Sequence, residues 1–434
     1  DNRKMFITIC KQGKRNYKNC DIYKTTYEKF EEKRSGKVYY QWSEFENLGK
    51  KLNGPKSWEA QPSLSGNGKR LYFATARKNS RGMDIYVTEK DSNGKWKKAK
   101  SVSDKINTDE HEKTPFIHSD SRTLYFASNG KRGAGGYDLY FARYSPDSGW
   151  TEPKNIGYPI NTENDEVGLI VSANGNKAYF ASNRIGNTSN YDVFKFDLPK
   201  KAKPKTIKLI KGTVRNEKGE AVTDAEVEIK NIDNKDVEKI QVSNEDGSYA
   251  AVVRAEEGDD VIMNVKKDGY TFQSSMINTG EKEEKGEGEN EKEQEKAANK
   301  SNNKNDVVVE EKVEMQEMEK NKPFEINDIY YATNSAELKE DSKYILDEFI
   351  DYLKENKSLK IAIHGHTDNV GSKDDNKALS ADRAFTVMEY LNNNGVPSNR
   401  LEFKGFGESK PVASNDNPKG RAENRRTEFV VLSK

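Results

Sequence analysis

The stretch LYFATARKNSRGMDIYVTEK, residues Leu71 to Lys90, returns as LYFASNGKRGAGGYDLYFARY from Leu124 and as AYFASNRIGNTSNYDVFKFDL from Ala178. Each copy runs from an aromatic strand pattern through a loop of Gly, Asn and Arg to Asp, an apolar residue and an aromatic. Asp84, Asp138 and Asp192 are 54 residues apart, and a more degenerate copy from Met5 to Tyr27 puts Asp21 in the same role. The tails repeat as well: WSEFENLGKKLNG, WKKAKSVSDKINT and WTEPKNIGYPINT set Asn53, Asn107 and Asn161 at the same 54-residue interval. Such units, each about four short strands with period-2 patterning, predict the blades of a β-propeller, since one blade cannot bury both faces of its own sheet. The recurring Asp is expected to accept backbone N–H groups and fix a turn, and Trp42, Trp96 and Trp150 to pack blade against blade.

Composition agrees with a multidomain, strand-rich chain. Of 434 residues 33% are hydrophobic and 33% charged, which argues against one large helical core. Lys and Arg number 73 against 72 Asp and Glu, so no global field recruits nucleic acid or an anionic membrane. No apolar run is long enough to span a bilayer, and the first residues lack the layout of a signal peptide. Cys10 and Cys20, the only cysteines, end two predicted strands and leave open a hairpin disulfide or two reduced structural thiols. The first blade lacks the strand that Gln61 to Ser65 supplies in the next, so the natural protein is expected to extend upstream, and a closed ring to need that material or a compact four- or five-blade arrangement.

After the linker LPKKAKPK the pattern changes to alternating strands joined by Gly-containing turns, a small antiparallel sandwich. Asp246 beside Glu245 is read as a hairpin turn in preference to a calcium site. A mixed-charge insert at 279–305 cannot offset its ordering entropy by burial and is expected to be disordered, after which Val307 to Met318 returns as a strand. The last segment alternates strand and helix: FEINDIYYAT, a helix with Ile345, Leu346, Phe349, Ile350 and Leu353 on one face, LKIAIHG, a second helix capped by Ser380 with Gly395 beyond its end, then LEFKGFG and RRTEFVVL.

In HGHTDNVG, His364 to Gly371, Asp368 lies just past a strand end, and Arg383 is predicted in the first turn of the second helix. Asp can hold an ammonium while Arg takes a carboxylate bidentately, with the helix N-terminus favouring the anion, so the pair can grip a zwitterion. Alone, an Asp/Arg pair fits a structural salt bridge better. The alternative reading is a metal-dependent hydrolase using His364, His366 and Asp368, but two nitrogens are a short ligand set, with His111 and His118 far off in the repeats.

Three resemblances bear on these readings. The repeats, through the run Pro62 to Ala76, resemble the TolB-like propeller family. Gly212, Ala225 to Val227, Asp246 to Tyr249 and Gly269-Tyr270 resemble the carboxypeptidase regulatory-like domain, a transthyretin-like β-sandwich without catalysis. GHTDNVG, Asn376 to Ala384, Gly405 to Gly407, Pro411 and Gly420 to Arg426 match in order and spacing the OmpA-like peptidoglycan-binding domain. That last resemblance implies that Asp368 and Arg383 hold the diaminopimelate of a peptidoglycan stem peptide, with Thr367, Asn376, Leu379, Asn334 and Arg425 lining the pocket. A common aspartate of the family is Ala332 here.

The expected fold is therefore an all-β propeller at 1–199, a transthyretin-like β-sandwich at 206–320 and an α/β OmpA-like sandwich at 324–434. The expected function is a non-enzymatic, cofactor-free and metal-free periplasmic scaffold associated with the outer membrane. It would bind peptidoglycan and contact envelope or secretion-complex proteins through the propeller, with a lipid anchor upstream as one option. The domain order resembles outer-membrane-associated proteins of Bacteroidetes, some of them parts of type IX secretion machinery.

Overall fold

The computed structural model describes residues 3–12, 18–32, 35–77, 80, 82–185, 190–242, 246–256, 258–277, 279, 307–332 and 334–434. Glu245 and the insert expected at 279–305, apart from Thr279, lie outside the described residues. The chain forms two compact units, Asp1–Ile207 and Lys208–Lys434.

The first unit is built from four antiparallel sheets in chain succession. The first pairs Lys4–Gln12, Lys18–Glu31 and Val38–Trp42, with Glu46–Asn47 beside the second strand. The next follows the order Trp58–Leu64, Arg70–Ala76, Asp84–Glu89 and Lys100–Ser101. Glu112–Ile117, Thr123–Ser128, Asp138–Ser145 and Gly149–Trp150 form the third, with Lys154–Asn155 also paired to Asp138–Ser145, and Glu166–Val171, Lys177–Ser182 and Asp192–Asp197 the fourth. The aromatic strands of the repeat lie inside their sheets, and Leu124, Tyr125, Phe126 and Ala127 are fully buried. Apolar clusters join consecutive sheets: Phe6 and Ile22 with Leu71 and Phe73, Tyr72 and Ile85 with Leu124 and Phe126, and Tyr125 and Phe141 with Leu169 and Phe180. Burial on both faces explains why the strands read as near-continuous apolar and aromatic runs.

The repeated polar residues have defined tasks. Asn161 receives the Leu139 N–H at 2.8 Å and donates to the Leu139 carbonyl at 2.9 Å; Asn107 does the same for Ile85, and Asn53 for Ile22. Each asparagine thus pairs with both backbone groups of the residue after the repeated Asp: it takes up the buried N–H, and it shares the carbonyl with the N–H of Leu48, Val102 or Ile156. Asp138 accepts the N–H groups of Ala134 and Gly135, but Asp192 is exposed. Trp96 and Trp150 set their ring edges against Phe6 and Tyr72 of the preceding sheet, whereas Trp42 packs on Tyr27 of its own sheet and is 41% exposed, against expectation. Cys10 and Cys20 occupy paired positions in the first hairpin and their sulfurs are bonded.

The second unit begins with two packed sheets. Ser248–Arg254, Ile207–Asn216 and Val308–Met315 form one, the last strand returning parallel to the middle one; Asp236–Gln241, Glu226–Asn231, Val261–Lys266 and Gln273–Ile277 form the other. Val214, Val227, Ile229, Val253 and Val265 fill the space between them. Asp246 accepts the Ser248 N–H, as a turn residue does.

The α/β part of this unit has a sheet in the order Pro323–Glu325, Thr427–Ser433, Lys360–His366, Leu401–Gly407, with helices α1 (Glu340–Glu355), α2 (Lys373–Asn393) and the short α3 (Pro418–Asn424). Ile345, Leu346, Phe349, Ile350 and Leu353 of α1 are all buried in its core. Two expectations fail here. The strand expected over FEINDIYYAT stops at Glu325, because Asp328 takes φ of 59° and its carboxylate turns to the Met276 N–H and the Tyr330 hydroxyl. Helix α2 starts seven residues before Ser380, at Lys373: Ser372 is the N-cap and accepts the Asp375 N–H. Ser380 lies inside the helix, fully buried, and accepts the Gly407 N–H at 2.8 Å.

Candidate ligand pocket of the C-terminal part

The site is assembled where the central strand ends. Gly365 lets α2 lie directly on that strand, since a Cβ there would stand 2.1 Å from the Ser380 carbonyl oxygen. The chain then leaves the sheet with the Thr367 N–H donating to the Gly407 carbonyl, and Asp368 follows at the foot of α2. Asn376, Leu379 and Arg383 recur at three- and four-residue intervals along one side of the helix.

Thr367 and Asp368 are 5% and 7% exposed. One Asp368 oxygen accepts the Val370 N–H at 3.0 Å and the other accepts Arg425 Nη1 at 2.7 Å, while the Asp368 carbonyl receives Asn376 Nδ2 at 3.3 Å. Asn376 Nδ2 also donates to Glu408 Oε2. The Thr367 hydroxyl is buried without a hydrogen-bond partner. Arg383 is half-buried: its Nε donates to the Ser335 carbonyl at 2.9 Å and its guanidinium lies 4.7 Å from the centre of the Tyr331 ring. Burial draws the Arg383 guanidinium below the usual arginine range, the charge of Arg425 acts the same way, and Tyr331 and Asp368 oppose them. Burial also raises the Tyr331 phenol to about 12, so the ring beneath Arg383 stays neutral.

Thr367, Asp368, Asn376 and Arg425 are thus joined by direct contacts or chain adjacency, and Arg383 by charge. Leu379 is half-buried one turn before Arg383, and exposed Asn334, at φ of 51°, precedes the Ser335 carbonyl that holds Arg383. Arg383 stands in the third turn of α2, so the helix N-terminus expected to assist it is elsewhere. The ion pair on Asp368 is made by Arg425. Sequence reading misses Tyr331, Ser335 and Glu408; Glu408 directly follows the Gly405-Phe406-Gly407 motif, and that adjacency is its one signal.

The histidines do not form a site with Asp368. His364 and His366 both face Phe406, with ring centres 4.8 and 5.2 Å away, and the third group near them is Glu428. Glu428 already receives Arg426 Nε at 2.7 Å and contacts His366 Nε2 at 3.1 Å. Lys404 and Lys410 stand over the same Phe406 ring, which makes the surroundings poor for a cation.

A carboxylate and two guanidiniums thus gather at one strand end of a helix-backed α/β sheet. Residues 330–425 match the OmpA family, so the C-terminal part of the chain is an OmpA-like domain. It is 41% identical over 103 residues to the peptidoglycan-binding protein ArfA of Mycobacterium tuberculosis, covering 24% of this chain and 32% of that protein. The peptidoglycan-associated lipoprotein of Rhizobium meliloti is 35% identical over 103 residues, 24% of this chain and 58% of its own. The chain thus spans about a third of the length of the first of these relatives. Among solved structures, the peptidoglycan-associated lipoprotein from Burkholderia pseudomallei is 31% identical and covers 24% of this chain and 87% of that one, with a TM-score of 0.23. No helix among the described residues is long and apolar enough to cross a membrane.

Proposed function

We propose that this chain is a non-enzymatic scaffold of the cell envelope that holds peptidoglycan non-covalently through its OmpA-like domain. The observation that carries this reading is the pocket itself: a nearly buried carboxylate, two guanidiniums and an unpartnered hydroxyl in the segment related to peptidoglycan-binding and peptidoglycan-associated proteins. The ligand is the diaminopimelate of a stem peptide, whose ammonium suits Asp368 and whose carboxylate suits Arg383. The protein works in the periplasm at the outer membrane. Its four stacked sheets act as propeller blades and, with the transthyretin-like sandwich, offer surfaces to envelope or secretion-complex proteins. A type IX secretion role rests on domain order alone.

Sedimentation with purified peptidoglycan sacculi tests the site. Asp368→Ala and Arg383→Ala are each expected to lower retention by about tenfold or more, the cost of leaving a charged partner unpaired. Retention equal to that of the unaltered chain in both variants would remove the site from consideration.

A further inference from the structure

Around Phe406 the chain gathers positive charge from three directions. Lys404 from the same strand, Lys410 from the chain just beyond it and Lys377 from α2 bring their ammoniums to 5.1, 4.3 and 5.5 Å from the centre of the ring. Lys377 Nζ also donates to the Gly405 carbonyl at 2.6 Å, which ties it to the strand. The ammoniums of Lys404 and Lys410 have no hydrogen-bond or ion-pair partner among the described residues. Two of the carboxylates near them are engaged elsewhere, Glu428 with Arg426 and His366 and Glu408 with Asn376, and the third, exposed Glu402, pairs with neither lysine. The same ring carries both histidines. His366 lies flat against it, with Nδ1 buried and without a hydrogen-bond partner, and His364 meets it edge-on. The group shares no hydrogen bond with Asp368 or Arg383.

An aromatic ring attracts a cation over its face but does not neutralise several, and ammoniums held to one ring repel each other. Burial first, then the charges of His366, Lys410 and Lys404 against that of Glu428, hold the His364 imidazole down at about 4, so both lysines act on one spot. An anion there removes the repulsion. A phosphate ester carries up to about two negative charges on three oxygens, enough for each ammonium to take its own, where a carboxylate offers fewer. The ammonium is a compact point charge and needs no planar fork to match.

We propose that Lys404 and Lys410, with Lys377 beside them and the Phe406 ring as a floor, form a binding site for a phosphate ester. The site goes beyond the wall-binding reading and does not depend on it. It gives the C-terminal part of the chain a second ligand, a phosphate carried on a lipid headgroup or on a soluble molecule.

Proton NMR of the full chain tests the idea, since only four histidines contribute imidazole signals and His364→Gln identifies the one that belongs to His364. Inorganic phosphate, compared with sodium chloride at equal ionic strength, should raise the His364 midpoint by about half a pH unit or more, because a bound anion favours the charged imidazole. The double variant Lys404→Gln/Lys410→Gln should lose this response to phosphate, while Lys404→Arg/Lys410→Arg, which keeps both charges, should retain most of it. Cosedimentation with vesicles of phosphatidylcholine and phosphatidate, in a ratio of roughly four to one, separates the sources. Vesicle binding that the glutamine pair abolishes supports the site with a lipid headgroup as its ligand; a response to inorganic phosphate without vesicle binding supports it with a soluble ester. A His364 midpoint that phosphate leaves unmoved in the unaltered chain, or moves equally in the glutamine pair, overturns the proposal.

Discussion

His364 and His366 lie two apart on one strand and share a face, as the period-2 geometry of a strand requires, yet their surroundings give them different chemistry. Burial holds His364 down to about 4, with the charges of His366, Lys410 and Lys404 adding to it against Glu428. Burial alone would raise Glu428, but the hydrogen bond and charge of His366, joined by Arg426, hold its carboxyl at about 2. The folded protein thus binds the His364 proton less well than the unfolded chain does. Its neutral imidazole contributes stability that is complete above pH 6.5 and is lost as pH falls from there toward 4, and the Glu428 contribution is lost only below about 4.5. Discounted for partial exposure, the His364 effect should be about 1 kcal/mol. His364→Gln should therefore flatten the fall in urea midpoint between pH 6.5 and 4.5, and an unaltered slope would assign the pH dependence elsewhere. At this scale the sequence shows Asp368 and Arg383 as chemistry-bearing residues through their motif. It does not show that Arg425, 57 residues along the chain, holds Asp368, because side-chain pairing across the sheet end has no local signature.

The start of α2 shows what an amphipathic pattern can miss. The run KDDNKA reads as a polar loop, but it forms the first turns of the helix, and the buried face there begins with Asn376 and Ser380 before Ala384, Val387 and Leu391 take over. A polar buried face gives hydrophobic periodicity nothing to detect; the Ser372 cap is the available signal. Helix α1 is legible from its apolar stripe, but what lies on its outer side is not. There Glu348 receives Lys230 Nζ at 2.8 and 2.9 Å and Asn264 Nδ2 at 2.6 Å, and Phe272 packs on Phe349 with ring centres 5.2 Å apart. The sandwich sheet and the helix layer are joined by this buried ion pair. Glu348→Leu should leave Lys230 with only its longer contact to Glu228, at 3.6 Å, and destabilise the contact by about 2 kcal/mol, whereas adding Lys230→Met should restore most of the loss. Hydrogen exchange in α1 and in Val261–Lys266 reports it; equal protection in the single and double variants would mean the pair has no part in holding the layers together.

Over the whole molecule the 54-residue interval is the most informative feature, since spacing alone sorts the strands of the first unit into equivalent sets. Its chemistry is only partly visible there. Glu59, Glu112 and Glu166 recur at nearly the same interval and are fully buried, with Glu112 and Glu166 each bonded to a threonine four residues earlier and a serine sixteen later. In a chain so rich in charged residues, three glutamates at that interval do not stand out from the solvated ones. The asparagines Asn53, Asn107 and Asn161 are visible as a spacing, and the structure supplies the reason, a two-way bond to buried backbone in each repeat. Asn107→Ala should leave the N–H of fully buried Ile85 unpaired, with its carbonyl kept by the Val102 N–H alone, and cost the first unit about 1 to 3 kcal/mol. The pocket around Asp368 belongs to the other compact unit. The same variant should therefore show an earlier calorimetric transition for the first unit and unchanged retention on peptidoglycan sacculi. Loss of retention while the second unit remains folded would mean that wall binding depends on the stacked sheets, and the two units would have to be treated as one functional body.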